Sequence, residues 1–299
     1  MNNLLVEVLG DIPIDHLPHE YGRKFISVLK QLPSYRTKKY PDKSLKELLE
    51  LKHVKLISTS TISKYTKNVS ALFNWAIKQG YTRDNVFQGK LESTRKKQVI
   101  EKYFTPDELD LVLGDSLKKY SLNKNRPERY WITMISAYSG TRLNEICQLD
   151  LSDIQEQDGI WIFNLTNDLE DKSIKTKSGN RIVPIHPHLL DLGFLDYVEE
   201  VRNQKQVKLF PNLKKGSTSS YGSAISQWFG RYLNKLDFKK KGKNFHSFRH
   251  TVDNRLISKQ VYEPFIKELV RHSHGSITMD VYGGRKPLEV LLNECVKEI

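Results

Sequence analysis

Residues 244–251 read Asn-Phe-His-Ser-Phe-Arg-His-Thr. His246 and Arg249 stand three apart, so on a helix their side chains are neighbours on one face, while Phe248, Val252 and Leu256 form the opposite, core-facing stripe. A permanently charged guanidinium beside an imidazole suits an anion: Arg can grip a phosphate with two hydrogen bonds while His donates or relays a proton. Alone, such a pair is more often a surface or capping feature, but two further segments share its chemistry. Upstream, Ser-Gly-Thr-Arg-Leu-Asn-Glu (139–145) sets Arg142 after a helix break and at the start of the next helix, with Glu145 one turn on to orient its guanidinium. Downstream, Val-Arg-His-Ser-His-Gly-Ser-Ile-Thr-Met-Asp-Val-Tyr-Gly-Gly (270–284) sets Tyr282 between a turn-rich stretch and two glycines. Tyrosine serves as a covalent nucleophile only when cationic neighbours or a base activate it, because its ordinary pKa is about 10. His272 and His274 are spaced like metal ligands, yet no Asp, Cys or His pattern completes a standard site, so no metal is expected.

Outward from these segments the chain reads as mostly α-helical with a small antiparallel β-sheet. Helices are expected near 128–138, 142–149, 225–236, 246–258, 263–271 and 287–297, and GIWIFNL (159–165) and RIVPI (181–185) read as strands bracketing a polar, Lys-rich hairpin. Thr105-Pro106-Asp107-Glu108 combines an N-cap, a proline at the first helical position and a capping-box Glu, which opens a second domain over 103–299. Before it, 88–102 is a basic, aperiodic linker. The first domain, 1–97, contains a capping box at Ser44 and Glu47 and a longer helix over about 59–79. Its apolar face is Ile62, Tyr65, Val69, Leu72, Phe73, Ala76 and Ile77, and its polar face carries Lys64 and Lys67.

The 299 residues hold 48 basic and 35 acidic side chains, a formal net charge of +13, and 18 of the basic against 9 of the acidic residues fall in 1–97. A folded segment with that bias points to a polyanionic partner. No stretch approaches the roughly 18 apolar residues of a membrane span, and the N-terminus has neither the basic start nor the apolar core of an export signal. Two cysteines make no disulfide framework and fit a reducing compartment. A soluble, cytoplasmic protein is expected.

Taken in order, the three segments resemble the tyrosine recombinase (phage integrase) family of site-specific DNA recombinases. SGTRLNEICQL is similar to the family's first-arginine box, HSFRHT to its His-x-x-Arg box, and VRHSHGSITMDVY to the box of its second histidine and nucleophilic tyrosine. KTKSGNRIVPI is similar to the hairpin that carries its lysine, and ALFNWAIKQGYTRDN (71–85) to the last helices of its core-binding domain. The resemblance covers roughly 60–285. It implies a helical core-binding domain followed by a mixed α/β catalytic domain, acting on double-stranded DNA without a cofactor. Tyr282 would attack a phosphodiester to form a 3′-phosphotyrosyl link. Arg142 and Arg249 would hold the non-bridging oxygens, and His246 and His272 would assist. Lys175, or alternatively Lys177, would protonate the leaving 5′-oxygen, and Glu145 would support Arg142. The interval from His272 to Tyr282 is one residue longer than the family's usual one. Either the Ser-His-Gly-Ser turn carries an insertion or His274 takes the role; the place of His272 at the helix end favours it. No counterpart of the family's first core-binding helix is found in the N-terminal region, nor a separate arm-binding domain.

DNA contacts are expected from Lys64 and Lys67 and, in the linker, from Arg95, Lys96 and Lys97. Leu288, Leu291, Leu292, Cys295, Val296 and Ile299 form an apolar stripe on a tail helix within 287–299. The stripe either packs on its own domain or, as the resemblance implies, docks on a neighbour to build a homotetramer on DNA. Integration or excision of a mobile element is the expected activity, and a catalytically silent DNA-binding accessory factor is the alternative.

Overall fold

The computed structural model describes residues 2–89, 101–121, 125–166, 180–216, 220–236, 242–270 and 287–299. The chain divides into two compact units, Met1–Val99 and Ile100–Ile299.

The first unit contains α1 (Asn2–Leu9), α2 (His19–Gln31), α3 (Arg36–Lys39), α4 (Leu45–Leu49) and α5 (Thr59–Lys78). The Ser44–Glu47 capping box opens α4, and the Ser58 hydroxyl accepts from Thr61 N–H to cap α5. The helices that precede Ser44 have no counterpart in the sequence pattern. In α2, Phe25 and Leu29 are buried and Tyr21 and Val28 pack beside them, forming the core with Ile62, Val69 and Phe73 of α5. The α5 stripe is narrower than expected. Thr66 is buried, with its hydroxyl on the Ile62 carbonyl, whereas Leu72 and Ile77 are exposed. Leu72 lies about 100° around the helix from Phe73, beyond the strip that α2 covers.

Phe87 closes this core edge-on against Phe25 and Phe73. Its segment is held by Asn85, whose amide donates to Ser70 and Asn74 and whose oxygen accepts from Phe87 N–H. At Gly22, α2 meets this segment so closely that a Cβ would lie 2.2 Å from the Val86 carbonyl oxygen. Gly22→Ala is therefore expected to destabilise the unit by about 1–3 kcal/mol, read as a lower urea midpoint. An unchanged midpoint would mean that this backbone contact yields freely.

The second unit opens with α6 (Pro106–Leu113), started by the Thr105–Glu108 capping box, followed by α7 (Asp115–Lys118), α8 (Pro127–Ser139) and α9 (Leu143–Cys147). A three-stranded antiparallel sheet of β1 (Ile154–Gln157), β2 (Ile160–Leu165) and β3 (Arg181–Pro184) comes next, in the order β1-β2-β3, with Phe163 opposite Val183 and Leu165 opposite Arg181. β1 was not expected from the sequence. It joins β2 through Asp158-Gly159, both at positive φ (53° and 75°), the backbone of a tight hairpin turn. The chain continues through α10 (Pro187–Asp191), α11 (Phe194–Asn203), α12 (Ser223–Lys235), α13 (Ser247–Ser258), α14 (Glu263–Val270) and α15 (Leu288–Glu294), then a 3-10 turn, Val296–Glu298. α10 and α11 also went unanticipated.

The core of this unit packs α8 and α13 against the sheet and α12, with Ile132, Ile135, Val183, Phe229 and Phe248 fully buried. The tail stripe belongs to the same core: Leu291, Cys295, Val296 and Ile299 are all buried, the last three among its members. Arg255 of α13 donates to the Ile299 carbonyl, and Lys259 pairs with Glu298. In this structure the tail is thus docked on its own unit. Among the described residues, no helix is long and apolar enough to cross a membrane.

Candidate functional site

The site is built at the end of α8. That helix stops at Gly140, whose φ of +62° is the left-handed cap that glycine adopts without strain. A side chain there would also crowd Val252 of α13 and Val270 of α14, at 3.2 and 3.3 Å from its Cβ. Three helices therefore meet at one backbone position, two residues before Arg142.

Arg142 precedes α9, and its N–H and Nη1 both donate to the Glu145 carboxylate, at 3.3 and 2.8 Å. Glu145 is buried, and its Oε2 also accepts from Nη2 of Arg181 at 2.8 Å. Burial alone would raise the Glu145 carboxyl. The charge and hydrogen bond of Arg181, then those of Arg142, outweigh burial and hold it below the ordinary carboxylate value.

Arg249, on the first turn of α13, is buried and directed at backbone. Its Nη1 donates to the Gly140 carbonyl at 3.0 Å and its Nη2 to the Val270 carbonyl. Burial, then the charges of Arg142 and Arg181, lower its pKa to about 10 against the pull of Asp253 and Glu145. It stays a cation at neutral pH. Three guanidinium groups thus face each other's fields with Glu145 and Asp253 as the nearby carboxylates, an arrangement suited to an added anion.

His246 is exposed at the N-cap of α13, its N–H bound to Asn244 Oδ1 and its ring 4.8 Å from that of His250. Burial comes first among the influences that lower the His250 pKa. The start of α13 is fixed from two sides. Thr251 Oγ1 accepts from Phe104 N–H and donates to the Ser247 carbonyl, and Lys243 forms a largely buried ion pair with Glu108 of α6. Asn144 on α9 clamps the approach to α12 by accepting from Ser220, Tyr221 and Gly222.

Of the residues singled out from the sequence, Arg142, Glu145, His246 and Arg249 lie in this one unit, with both arginines anchored around Gly140. Lys64 and Lys67 lie on α5 of the other unit. Lys175, Lys177, His272, His274, Tyr282, Arg95, Lys96 and Lys97 fall outside the described residues. Among the described residues, no group of three His, Cys, Asp or Glu could hold a metal ion.

Arg181 was missed. Its signal was the pleat: Arg181, Val183 and Ile185 alternate onto the buried face of a short strand, and a charge on that face needs a partner from elsewhere.

Residues 102–286 match the sequence model of the Phage integrase family. A tyrosine recombinase of Thermosipho africanus is 23% identical over 221 residues, covering 73% of this chain and 70% of the relative. A probable integrase/recombinase of Aquifex aeolicus is 26% identical over 278 residues, covering 83% and 84%. Among solved structures, the Tn1549 transposon integrase in complex with circular intermediate DNA superposes with a TM-score of 0.60 at 20% identity, over 96% of this chain and 87% of the other. A lambda integrase dimer bound to a COC′ core site gives 0.55 at 17% identity, over 94% and 84%. These solved structures share the mostly helical fold with its small antiparallel sheet.

Proposed function

The chain belongs to the phage integrase family, and on that premise we propose that it cuts and rejoins double-stranded DNA at specific sites, integrating or excising a mobile element. The observation that carries the proposal is the anchoring of Arg142 on the buried carboxylate of Glu145 and of Arg249 on the Gly140 carbonyl, two residues before Arg142. Two fixed cations within each other's field suit the doubly coordinated phosphate of a scissile bond and the extra charge of its pentacoordinate transition state.

In this reaction the Tyr282 phenolate oxygen attacks phosphorus. The new bond is phosphorus to tyrosyl oxygen, the broken bond is phosphorus to O5′, and Lys175 (or Lys177) supplies the proton to the departing 5′-oxygen. Exposed His246, together with His272, donates to the phosphate or takes part in proton transfer. The ester energy is kept in the 3′-phosphotyrosyl link, so a 5′-hydroxyl can reverse the step without ATP. Lys64 and Lys67, with Arg95, Lys96 and Lys97, hold the duplex through its phosphates, so affinity falls steeply with salt. Four protomers would assemble on paired sites through the tail, which must then leave its place on its own unit.

Covalent trapping tests the proposal. Nicked suicide duplexes tiled from the DNA flanking the gene are expected to yield a denaturant-resistant adduct joined through a 3′-phosphate. Duplexes that shift on a native gel without ever forming an adduct would overturn cleavage and favour a silent DNA-binding factor.

A further inference from the structure

Among the described residues of the second unit, Arg181 is the most completely buried charge: its side chain has no exposed surface. It starts β3, far in sequence from the residues it touches. Its Nη2 donates to Glu145 Oε2 and its Nε to the Leu269 carbonyl at 3.0 Å. The carbonyl of the next residue, Val270, is the one that Arg249 holds. Two arginines from different elements therefore grip consecutive carbonyls at the C-terminal end of α14, where terminal carbonyls lack helical partners and the helix dipole favours cations. Arg181 shares Glu145 with Arg142 and the end of α14 with Arg249, linking the two cations of the candidate phosphate site.

Stability alone does not account for it. A guanidinium taken wholly out of water is expensive, and Nη1 of Arg181 is buried with no hydrogen-bond partner among the described residues. Replacing both members of such a pair by uncharged groups is often neutral for folding. Its geometry is specific, because a planar fork can serve a carboxylate and a carbonyl at once, whereas an ammonium offers one point of charge.

We propose that Arg181 is a positioning residue of the phosphate site: it fixes Glu145, and through it the guanidinium of Arg142, in register with the α14 end that anchors Arg249. This rests on the reading that Arg142 and Arg249 hold a phosphate.

The test uses the full chain as wild type, Arg181→Lys, Arg181→Met and the double variant Arg181→Met/Glu145→Gln, with inorganic phosphate as probe. Thermal melts at rising phosphate report the anion's affinity without requiring cleavage. Both variants carrying Arg181→Met are expected to bind phosphate about 10-fold or more weakly, the size of effect typical when the partner orienting a charged ligand group is removed. The double variant, relieved of both buried charges, should nevertheless melt close to wild type, and Arg181→Lys should fall between. A double variant that regains phosphate affinity together with its melting temperature would show a merely structural role and overturn the proposal. So would Arg181→Met binding phosphate as wild type does, or a wild type that shows no phosphate-dependent shift.

The same set on suicide duplexes is expected to form adducts slower by a comparable factor, with duplex affinity changed less than about threefold because most contacts lie elsewhere. The pH profile adds a second signature. Glu145 is faced by Arg142 from the N-cap of α9, Arg181 from β3 and Arg249 from α13, and Asp253 faces Arg249 in turn. Without Arg181 the carboxyl takes up a proton more readily, so adduct formation in Arg181→Met should fall off at a higher pH than in wild type. The Glu145→Gln change in the double variant should abolish that limb. Wild type that forms no adduct on any duplex, with the phosphate ranking intact, would sink the recombinase reading and leave the positioning role standing. Wild-type adduct rates in Arg181→Met would do the reverse.

Discussion

Tyr282→Phe is expected to bind the same duplexes as wild type and to form no covalent adduct on any of them, a loss on the order of 10⁴-fold or more in strand cleavage. The substitution removes one oxygen and keeps the ring, and in the proposed complex the phosphate contacts that supply most DNA affinity come from other residues. Chemistry has no substitute for that oxygen: water delivered to the same phosphorus would release a free 3′-phosphate and end the reaction without a rejoinable ester. The phenol's ordinary pKa of about 10 makes it a weak nucleophile by itself, so its use depends on cations nearby. In the proposed reaction Arg142 and Arg249 are those cations, and Arg249 keeps its charge even with burial lowering its pKa to about 10. Denaturing and native gels run on the same samples check the prediction. An adduct persisting in Tyr282→Phe would mean that another side chain is the nucleophile.

Glu145→Leu is expected to destabilise the second unit by about 3–5 kcal/mol, the range for removing one partner of a buried ion pair. The cost arises because Arg181 stays behind with no exposed surface and no counter-charge, and Arg142 loses the carboxylate that holds its Nη1. Urea unfolding of the full chain, followed through the tryptophans of the second unit, reads the effect; a loss under about 1 kcal/mol would contradict it. The pH dependence has a definite sign. The folded Glu145 carboxyl lies below its unfolded value of about 4.3, so its contribution to stability is complete above that value and is lost as pH falls through the lower folded value. Glu145→Gln should remove that acid-side component.

The contrast between Glu145 and Arg181 shows what was legible in the chain. Arg142 and Glu145, like His246 and Arg249, are related at short range, and local geometry can be read from spacing. Arg181 acts over 36 and 88 residues, which no spacing rule reaches; only its place on the buried face of an apolar strand hinted at it. The same division runs through the fold. Elements with self-contained signals were readable: the capping boxes at Ser44 and Thr105, the aromatic stripe of α12, and the strands flanking the Lys-rich hairpin. α2 escaped because its buried residues are few and set among charges, so it is stabilised as a helix by docking on α5. β1 escaped because Ile154 is its one buried residue, leaving no alternation to detect. Leu72 and Ile77 misled because periodicity reports which residues are apolar, not how wide a strip the neighbouring helix covers.

The docking of the tail has a practical consequence. Cys295 belongs to that segment and faces the core, its thiol pushed by burial to about 12, while Cys147 sits in the body of the unit, its thiol raised further by burial. Neither thiolate forms appreciably while the unit is closed. In the proposed assembly, departure of the tail would uncover Cys295, whereas Cys147 would wait for the whole unit to open. The chain therefore carries its own pair of clocks: the ratio of the two alkylation rates measures how often the C-terminus lets go, before and after DNA is added, with no label to be engineered in.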